Sequence, residues 1–266
     1  MNELTHLDLA FVVDTTGSMA PLLQAAQRHM IDLLRAVSAG AGTPPDLRLA
    51  VVEYRDHPPQ DHTFVTRPHA FTAELGRAQK TIDGLKADGG GDGPEAVYDG
   101  LAAACDELAW REHSQRLAVL IGDAPPHGWH RAGDGFPDGC PCGRTADSVT
   151  ALFEQKGVTL YAVGLTHGVE TIFARLARYT GGEYFASHHP GAALEAVQAL
   201  LGKEFGDLAF DRQVLEHCRA DPAWTVDGLG TALASPRARL SASLSRLGRR
   251  GLLRGQDNLL ASGQPG

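Results

Sequence analysis

Apolar positions along the chain change period several times, and the changes mark out elements. Leu7 to Val13 is a run of apolar character that closes on Asp14, as expected of a central parallel strand covered on both faces. Past the turn Thr15-Thr16-Gly17-Ser18, the residues Leu23, Ala26, Met30, Leu33 and Val37 recur at helical spacing, and Gly40 closes the element. A strand is expected over Leu47 to Tyr54, an edge strand over Thr63 to Phe71, and a helix over Thr72 to Ala87. Gly89-Gly90-Gly91-Asp92-Gly93-Pro94 follows, with Pro94 placed as the first residue of a helix reaching about Ala109. Arg116 to Gly122 reads as a second buried strand, ending in Asp123, before a Gly/Pro/Asp-rich loop over 124–143. A helix (145–155), a strand (Val158 to Leu165), a helix (Val169 to Tyr179), a short strand (183–186) and a helix (191–204) complete the series. Alternating strands and helices predict an α/β fold with a doubly wound, mostly parallel sheet.

After about Gly206 the pattern becomes one of short helices. Phe210, Val214 and Cys218 share one face, and Val226, Leu229 and Leu233 another. Ser235-Pro236 makes a cap and first turn, and Leu240, Leu244 and Leu247 follow at helical intervals. Three helices and a wing around Gly251-Leu252-Leu253 resemble a winged-helix module. The expected organisation is an α/β domain over 1–206, a winged-helix-like module over 207–257, and a disordered tail over 258–266.

Composition changes this picture little. The 266 residues carry a net charge of −8, which argues against a surface devoted to nucleic acid or anionic membrane. No stretch is long and apolar enough to span a bilayer, and the first residues lack the basic region and cleavage site of a secretory leader. Cys105, Cys140, Cys142 and Cys218 form no disulfide framework, so a cytoplasmic setting with reduced thiols is expected.

The chemistry concentrates where strands end, which is where open α/β sheets bind ligands. Asp14 and Asp123 each close a buried strand, and Thr16 and Ser18 sit on one tight turn beside Asp14. Carboxylates and hydroxyls without a soft donor suit Mg²⁺ or Mn²⁺. Here the chain resembles the von Willebrand factor A family, over about residues 5 to 206. The D-x-[ST]-x-S turn of that family's metal-ion-dependent adhesion site is matched by Asp14, Thr16 and Ser18, and its later aspartate by Asp123 in Leu120-Ile121-Gly122-Asp123. The Gly-Gly-Gly-Asp-Gly-Pro-Glu and Asp-Ala-Pro-Pro-His stretches look closer to hemicentin-like and α-kinase-associated members than to integrins. The family's middle loop usually offers a threonine, whereas this loop offers Asp92. Three carboxylates would exceed the charge of a dication and make the site a metal holder first. Helix capping by Asp14, Ser18 or Asp92, and turn formation by Asp123, are the competing explanations.

Other groupings are weaker. His127, His130, Cys140 and Cys142 share the long loop and are zinc-ligand types, although their spacing fits no familiar finger. Arg55 and His57, closing the second strand, could orient a carboxylate of the site or merely form a surface turn. The glycine run lacks a phosphate-binding lysine, and Ser18 is in no nucleophile elbow. No Asp or Glu occurs from Gly228 through Gln256, while Arg237, Arg239, Arg246, Arg249 and Arg250 do, a pattern suited to DNA or to an acidic partner. The resemblance implies a non-enzymatic, metal-dependent protein-interaction module, and the lack of a long apolar stretch leads to the expectation of no membrane partner. A DNA-binding regulator and a metal-dependent hydrolase using His57 or His127 as acid/base are the alternatives.

Overall fold

The computed structural model describes residues 5–40, 45–187 and 189–253. Six strands form one sheet: β1 (His6–Asp14), β2 (Asp46–Tyr54), β3 (Thr66–Thr72), β4 (Gln115–Gly122), β5 (Thr159–Gly164) and β6 (Tyr184–Ala186). Their order is β3-β2-β1-β4-β5-β6, with every neighbouring pair parallel except β2 and β3. The chain therefore winds outward from β1 in one direction and from β4 in the other. The crevice between the C-terminal ends of β1 and β4 is the switch point, and it lies between Asp14 and Asp123. The predicted strand β3 starts three residues later than its sequence suggests, after a loop pinned by Arg55 N–H donating to the Val65 carbonyl (3.0 Å).

Helices cover both faces. One core packs α1 (Ala20–Gly40), α2 (Leu75–Gly84) and α6 (Pro190–Ala220) on Leu7, Leu9, Phe11 and Val13 of β1 and their neighbours. The other packs α3 (Val97–Asp106), α4 (Ala146–Lys156) and α5 (Glu170–Tyr179) on Ala10, Val12 and Tyr54. Burying both faces is what makes β1 and β4 nearly continuous apolar runs. Asp8, which interrupts the run in β1, is fully buried and held by Arg48 and Arg111. The edges differ in character. β3 carries Pro68 between Arg67 and His69, both of which reach Glu53 of β2, and β6 has only three residues.

Two helix boundaries differ from expectation for the same reason: contacts outlast local punctuation. α3 begins at Val97 rather than at Pro94, because Glu95 is drawn into a parallel bridge with Pro126, its N–H donating to the Pro125 carbonyl (2.9 Å). The last domain helix does not end near Glu204. α6 runs for 31 residues, with His189 capping it through Nδ1 and Pro190 in its first turn. Its buried positions pass from the sheet (Leu194, Val197, Leu201, Leu208) to a small cluster with α7 (Val226–Ala232) and α8 (Arg237–Arg249). Phe210, Val214, Leu215, Cys218, Leu229, Leu240, Leu244 and Leu247 form that cluster.

The expected boundary at 206/207 thus falls inside a helix. The C-terminal part is helical, and no strand follows α8 among the described residues, so the wing is not seen there. The expected tail at 258–266 lies outside the described residues, as do the side chains of Leu33 and Val37.

Candidate metal centre at the strand ends

Asp14 sits at the end of β1 with no solvent exposure. Its Oδ1 accepts from the backbone N–H of Thr16 (2.8 Å) and from the Thr16 hydroxyl (2.6 Å), which shapes the turn. The short 3-10 segment Gly17–Met19 then presents Ser18 to solvent, its Oγ 3.5 Å from Thr16 Oγ1. Neighbouring loops hold this turn from both sides. Thr15 N–H donates to the Tyr54 carbonyl (3.0 Å), Asp88 N–H to the Thr15 carbonyl (3.0 Å), and Gly17 N–H to the Gly89 carbonyl (3.2 Å). Arg55 is a brace rather than a partner of the acidic groups at the strand ends. It donates to Thr15 Oγ1 (3.3 Å), Thr63 Oγ1 (3.0 Å) and the Lys86 carbonyl (2.8 Å).

The middle loop sets Asp92 among Asp56, His127 and Gly135. Asp92 accepts from the Gly135 N–H, and its carboxylate converges with Asp56 and His127. Asp123 is the carboxylate whose charge acts on Asp14, and Glu95, which sequence reasoning placed in the first turn of a helix, approaches the Thr16 turn. Gly89 and Gly90 make this approach with φ of 74° and 80°, and a Cβ on Gly90 would lie 2.9 Å from Glu95 Oε1 and 3.1 Å from Thr16 Cβ. The signal for Glu95 was its position ahead of Ala96-Val97-Tyr98, all buried, in a helix apolar on nearly every side.

The electrostatics of the cluster call for a cation. Burial pushes the Asp14 carboxyl up to about 7; the Thr16 hydroxyl opposes the shift and the Asp123 charge adds to it. Burial, followed by the charges of Asp14, Asp56, Asp92 and Asp123, pushes Glu95 up to about 10. Asp14 Oδ2, Glu95 Oε2 and the Tyr54 hydroxyl are buried without a hydrogen-bond partner among the described residues. Unpartnered oxygens of this kind are costly unless an ion or water satisfies them. A divalent cation bound by Asp14 Oδ2, Asp123 and the Thr16 and Ser18 hydroxyls fits that donor set, with Glu95 behind it.

Among the described residues, two further sets of donor atoms converge to within 4.8 Å of one another. The first is Asp56, Asp92 and His127. His127 is not free to join the cysteines of its loop: Nε2 meets Asp56 Oδ1 (2.6 Å) and Nδ1 meets Asp134 Oδ1 (2.9 Å), with all three side chains fully buried. Burial works against protonation of His127, but the bonds to Asp56 and Asp134 outweigh it and raise its pKa. His130 is exposed and faces Trp129 at 6.0 Å between ring centroids. The expected grouping of His127, His130, Cys140 and Cys142 is therefore not formed. Its cysteines join the second set, with His57 and Asp99.

The C-terminal arginines do not form one basic face. Arg246 forks onto Asp211 (2.9 and 2.6 Å) and reaches Asp207 (3.5 Å). Arg250 is buried and donates to the His113 carbonyl (2.9 Å). Arg237 pairs with Asp227 (3.1 Å), Arg239 lies over the Phe210 ring (4.0 Å), and Arg249 is exposed.

Sheet order, helical layers and the strand-end acidic cluster define a von Willebrand factor A/Rossmann-like fold, and residues 8–130 match the family model of the von Willebrand factor A domain. Over 157 residues the chain is 30% identical to the alpha-protein kinase vwkA of Dictyostelium discoideum, covering 58% of this chain and 24% of that one. Over 136 residues it is 29% identical to the putative ariadne-like RING finger protein R811 of Acanthamoeba polyphaga mimivirus, covering 51% and 13%. Proximal thread matrix protein 1 of the mussel byssus shares the fold at a TM-score of 0.54 and 20% identity, over 74% of this chain and 45% of that one. A structure of the same mussel protein with a zinc-occupied MIDAS motif gives 0.52 and 19%, over 74% and 46%. The chain spans less than half the length of each of these proteins. No helix among the described residues is long and apolar enough to cross a membrane.

Proposed function

We propose that this chain is a metal-dependent protein-interaction module, in which Asp14, Thr16, Ser18 and Asp123 hold Mg²⁺ and a partner docks over the ion. The observation that carries this reading is the orphaned, fully buried Oδ2 of Asp14 next to exposed Ser18 and half-buried Asp123. The donor set is closed on the protein side and open toward solvent. With oxygen donors alone it suits Mg²⁺, or Mn²⁺ in its place. Burial and the charges of Asp14, Asp56, Asp92 and Asp123 push Glu95 up to about 10, so this cluster favours a bound cation that offsets its negative charge. Asp92 belongs to the flanking network in this reading and is not a ligand.

The zinc-occupied motif of the mussel protein supports a divalent ion at this position. Four free thiols suit a reducing compartment such as the cytoplasm. The DNA-binding alternative draws less support, since Arg246 and Arg250 are engaged internally. A hydrolytic role also draws less support, since Ser18 lies in no nucleophile elbow. The test is affinity capture with the whole chain, in Mg²⁺ and in chelator, beside Asp14→Ala. Partners of the metal face are lost in both perturbations; partners retained equally in all conditions would sink the reading.

A further inference from the structure

The cysteines of the long loop meet two residues that lie far from them in sequence. His57 follows β2, Asp99 is in the first turn of α3, and Cys140 and Cys142 belong to the loop between β4 and α4. His57 Nε2 lies 3.0 Å from Asp99 Oδ2 and 3.2 Å from Cys140 Sγ; Cys140 Sγ lies 3.0 Å from Asp99 Oδ2 and 3.1 Å from Cys142 Sγ. We propose that these four side chains form a structural zinc site, separate from the Asp14 cluster.

The chemistry of the set selects the metal. Two sulfurs, one imidazole nitrogen and one carboxylate oxygen are the donors of a tetrahedral zinc centre, and the sulfurs exclude Mg²⁺ as a matched occupant. The sulfurs stand 3.1 Å apart, well beyond the roughly 2.05 Å of a disulfide. Two Zn–S bonds of about 2.3 Å at a tetrahedral angle span roughly 3.7 Å, so a central ion needs the cluster to open by only a fraction of an ångström.

Supporting contacts orient the donors as outer groups do around metal sites. Arg144 N–H donates to Cys142 Sγ (3.4 Å), Gly143 N–H to the Cys140 carbonyl (2.9 Å), and His57 N–H to Asp56 Oδ1 (2.6 Å). Gly139 and Gly143, at φ of 130° and 73°, allow the chain to turn both cysteines inward over so short a spacing. His57, Asp99 and Cys140 are largely withdrawn from water while Cys142 is exposed, which leaves an entry side and no vacant interior position. The ion would tie the loop to the end of β2 and the start of α3.

The experiment loads the whole reduced protein with zinc, dialyses it against Mg²⁺ and measures metal content, then repeats the loading with Co²⁺. Retention of a single zinc per chain is expected, with thiolate-to-cobalt charge-transfer bands and the intense visible bands of tetrahedral cobalt. Cys142→Ser, at the exposed ligand, should weaken zinc binding on the order of 100-fold and remove a thiolate contribution from the spectrum. His130→Ala and Asp14→Ala should retain both metal and spectrum, whatever becomes of Mg²⁺ binding. Zinc lost completely in dialysis, or cobalt bands unchanged in Cys142→Ser, overturns the proposal. Zinc lost in Asp14→Ala and kept in Cys142→Ser would assign it to the strand-end cluster instead.

Discussion

Asp8 is a buried carboxylate near the start of β1, where it could not remain ionised alone. Arg48 donates to it through Nε and Nη2 (2.9 and 2.7 Å), Arg111 through Nε and the backbone N–H (2.9 and 2.7 Å), and Ser114 through its hydroxyl (3.2 Å). Burial alone would raise the Asp8 pKa, but the bonds from Arg48 and Arg111 bring it below the ordinary value of 3.8. A carboxylate depressed on folding stabilises the native state above its unfolded pKa and loses that contribution as pH falls through the folded one. Asp8→Asn should therefore cost on the order of 1–3 kcal/mol near neutrality, by replacing the charge that both guanidinium groups face with a single neutral acceptor. Urea denaturation against pH should show the gap between variant and wild type closing in acid; a gap independent of pH would contradict this account. Among single residues, the turn that gathers Asp14, Thr16 and Ser18 was legible because one short segment contains it. The approach of Glu95 to that turn, and of His57 and Asp99 to the cysteines, was not, since it depends on chain segments tens of residues away.

The loop from Gly89 to Glu95 shows what an element adds to its residues. Its glycines allow a carboxylate to be laid against Thr16, and Gly90 has both a left-handed φ and no room for a methyl group. Gly90→Ala should cost about 1–3 kcal/mol of stability and displace either Glu95 or the Asp14 turn. Calorimetric Mg²⁺ titration of that variant should show weakened binding, whereas Gly133→Ala, also at positive φ but with open space around its Cβ, should leave Mg²⁺ affinity unchanged. Central strands were legible to within a residue or two because burial on both faces forces an apolar run. Helix ends were less so. Pro94 looked like a first helical residue, yet the bridge from Glu95 to Pro126 kept the chain extended for one more step. The stop expected near Glu204 was absent because the apolar stripe changes partners there while the backbone hydrogen bonds continue.

At the level of the whole molecule, that shared helix joins what looked like two domains. Glu204 of α6 accepts from Tyr161 of β5 and from Gln115 of β4 (3.2 Å), and seven residues later Asp211 takes the Arg246 fork from α8. His113 and Arg250 add a reciprocal pair of contacts, His113 Nδ1 lying 2.6 Å from the Arg250 carbonyl. The chain should consequently unfold in one cooperative transition, with calorimetric and van't Hoff enthalpies in agreement. Arg246→Ala should lower that single midpoint by leaving Asp211 buried and unpaired, a loss of about 3–5 kcal/mol. Two resolved transitions, with only the upper or lower one moved, would show the parts to be independent. A composition shift at Gly206 could not reveal this, because it records a change of surroundings and not of backbone.

The flanks of the sheet have one more consequence. A strand arriving beside β3 would meet Pro68, which has no N–H to offer, set between Arg67 and His69. On the other flank, the three residues of β6 are too few to fix the register of an incoming chain. Both flanks of the described sheet thus discourage strand exchange between native molecules, and aggregation is expected to begin with a partly unfolded chain.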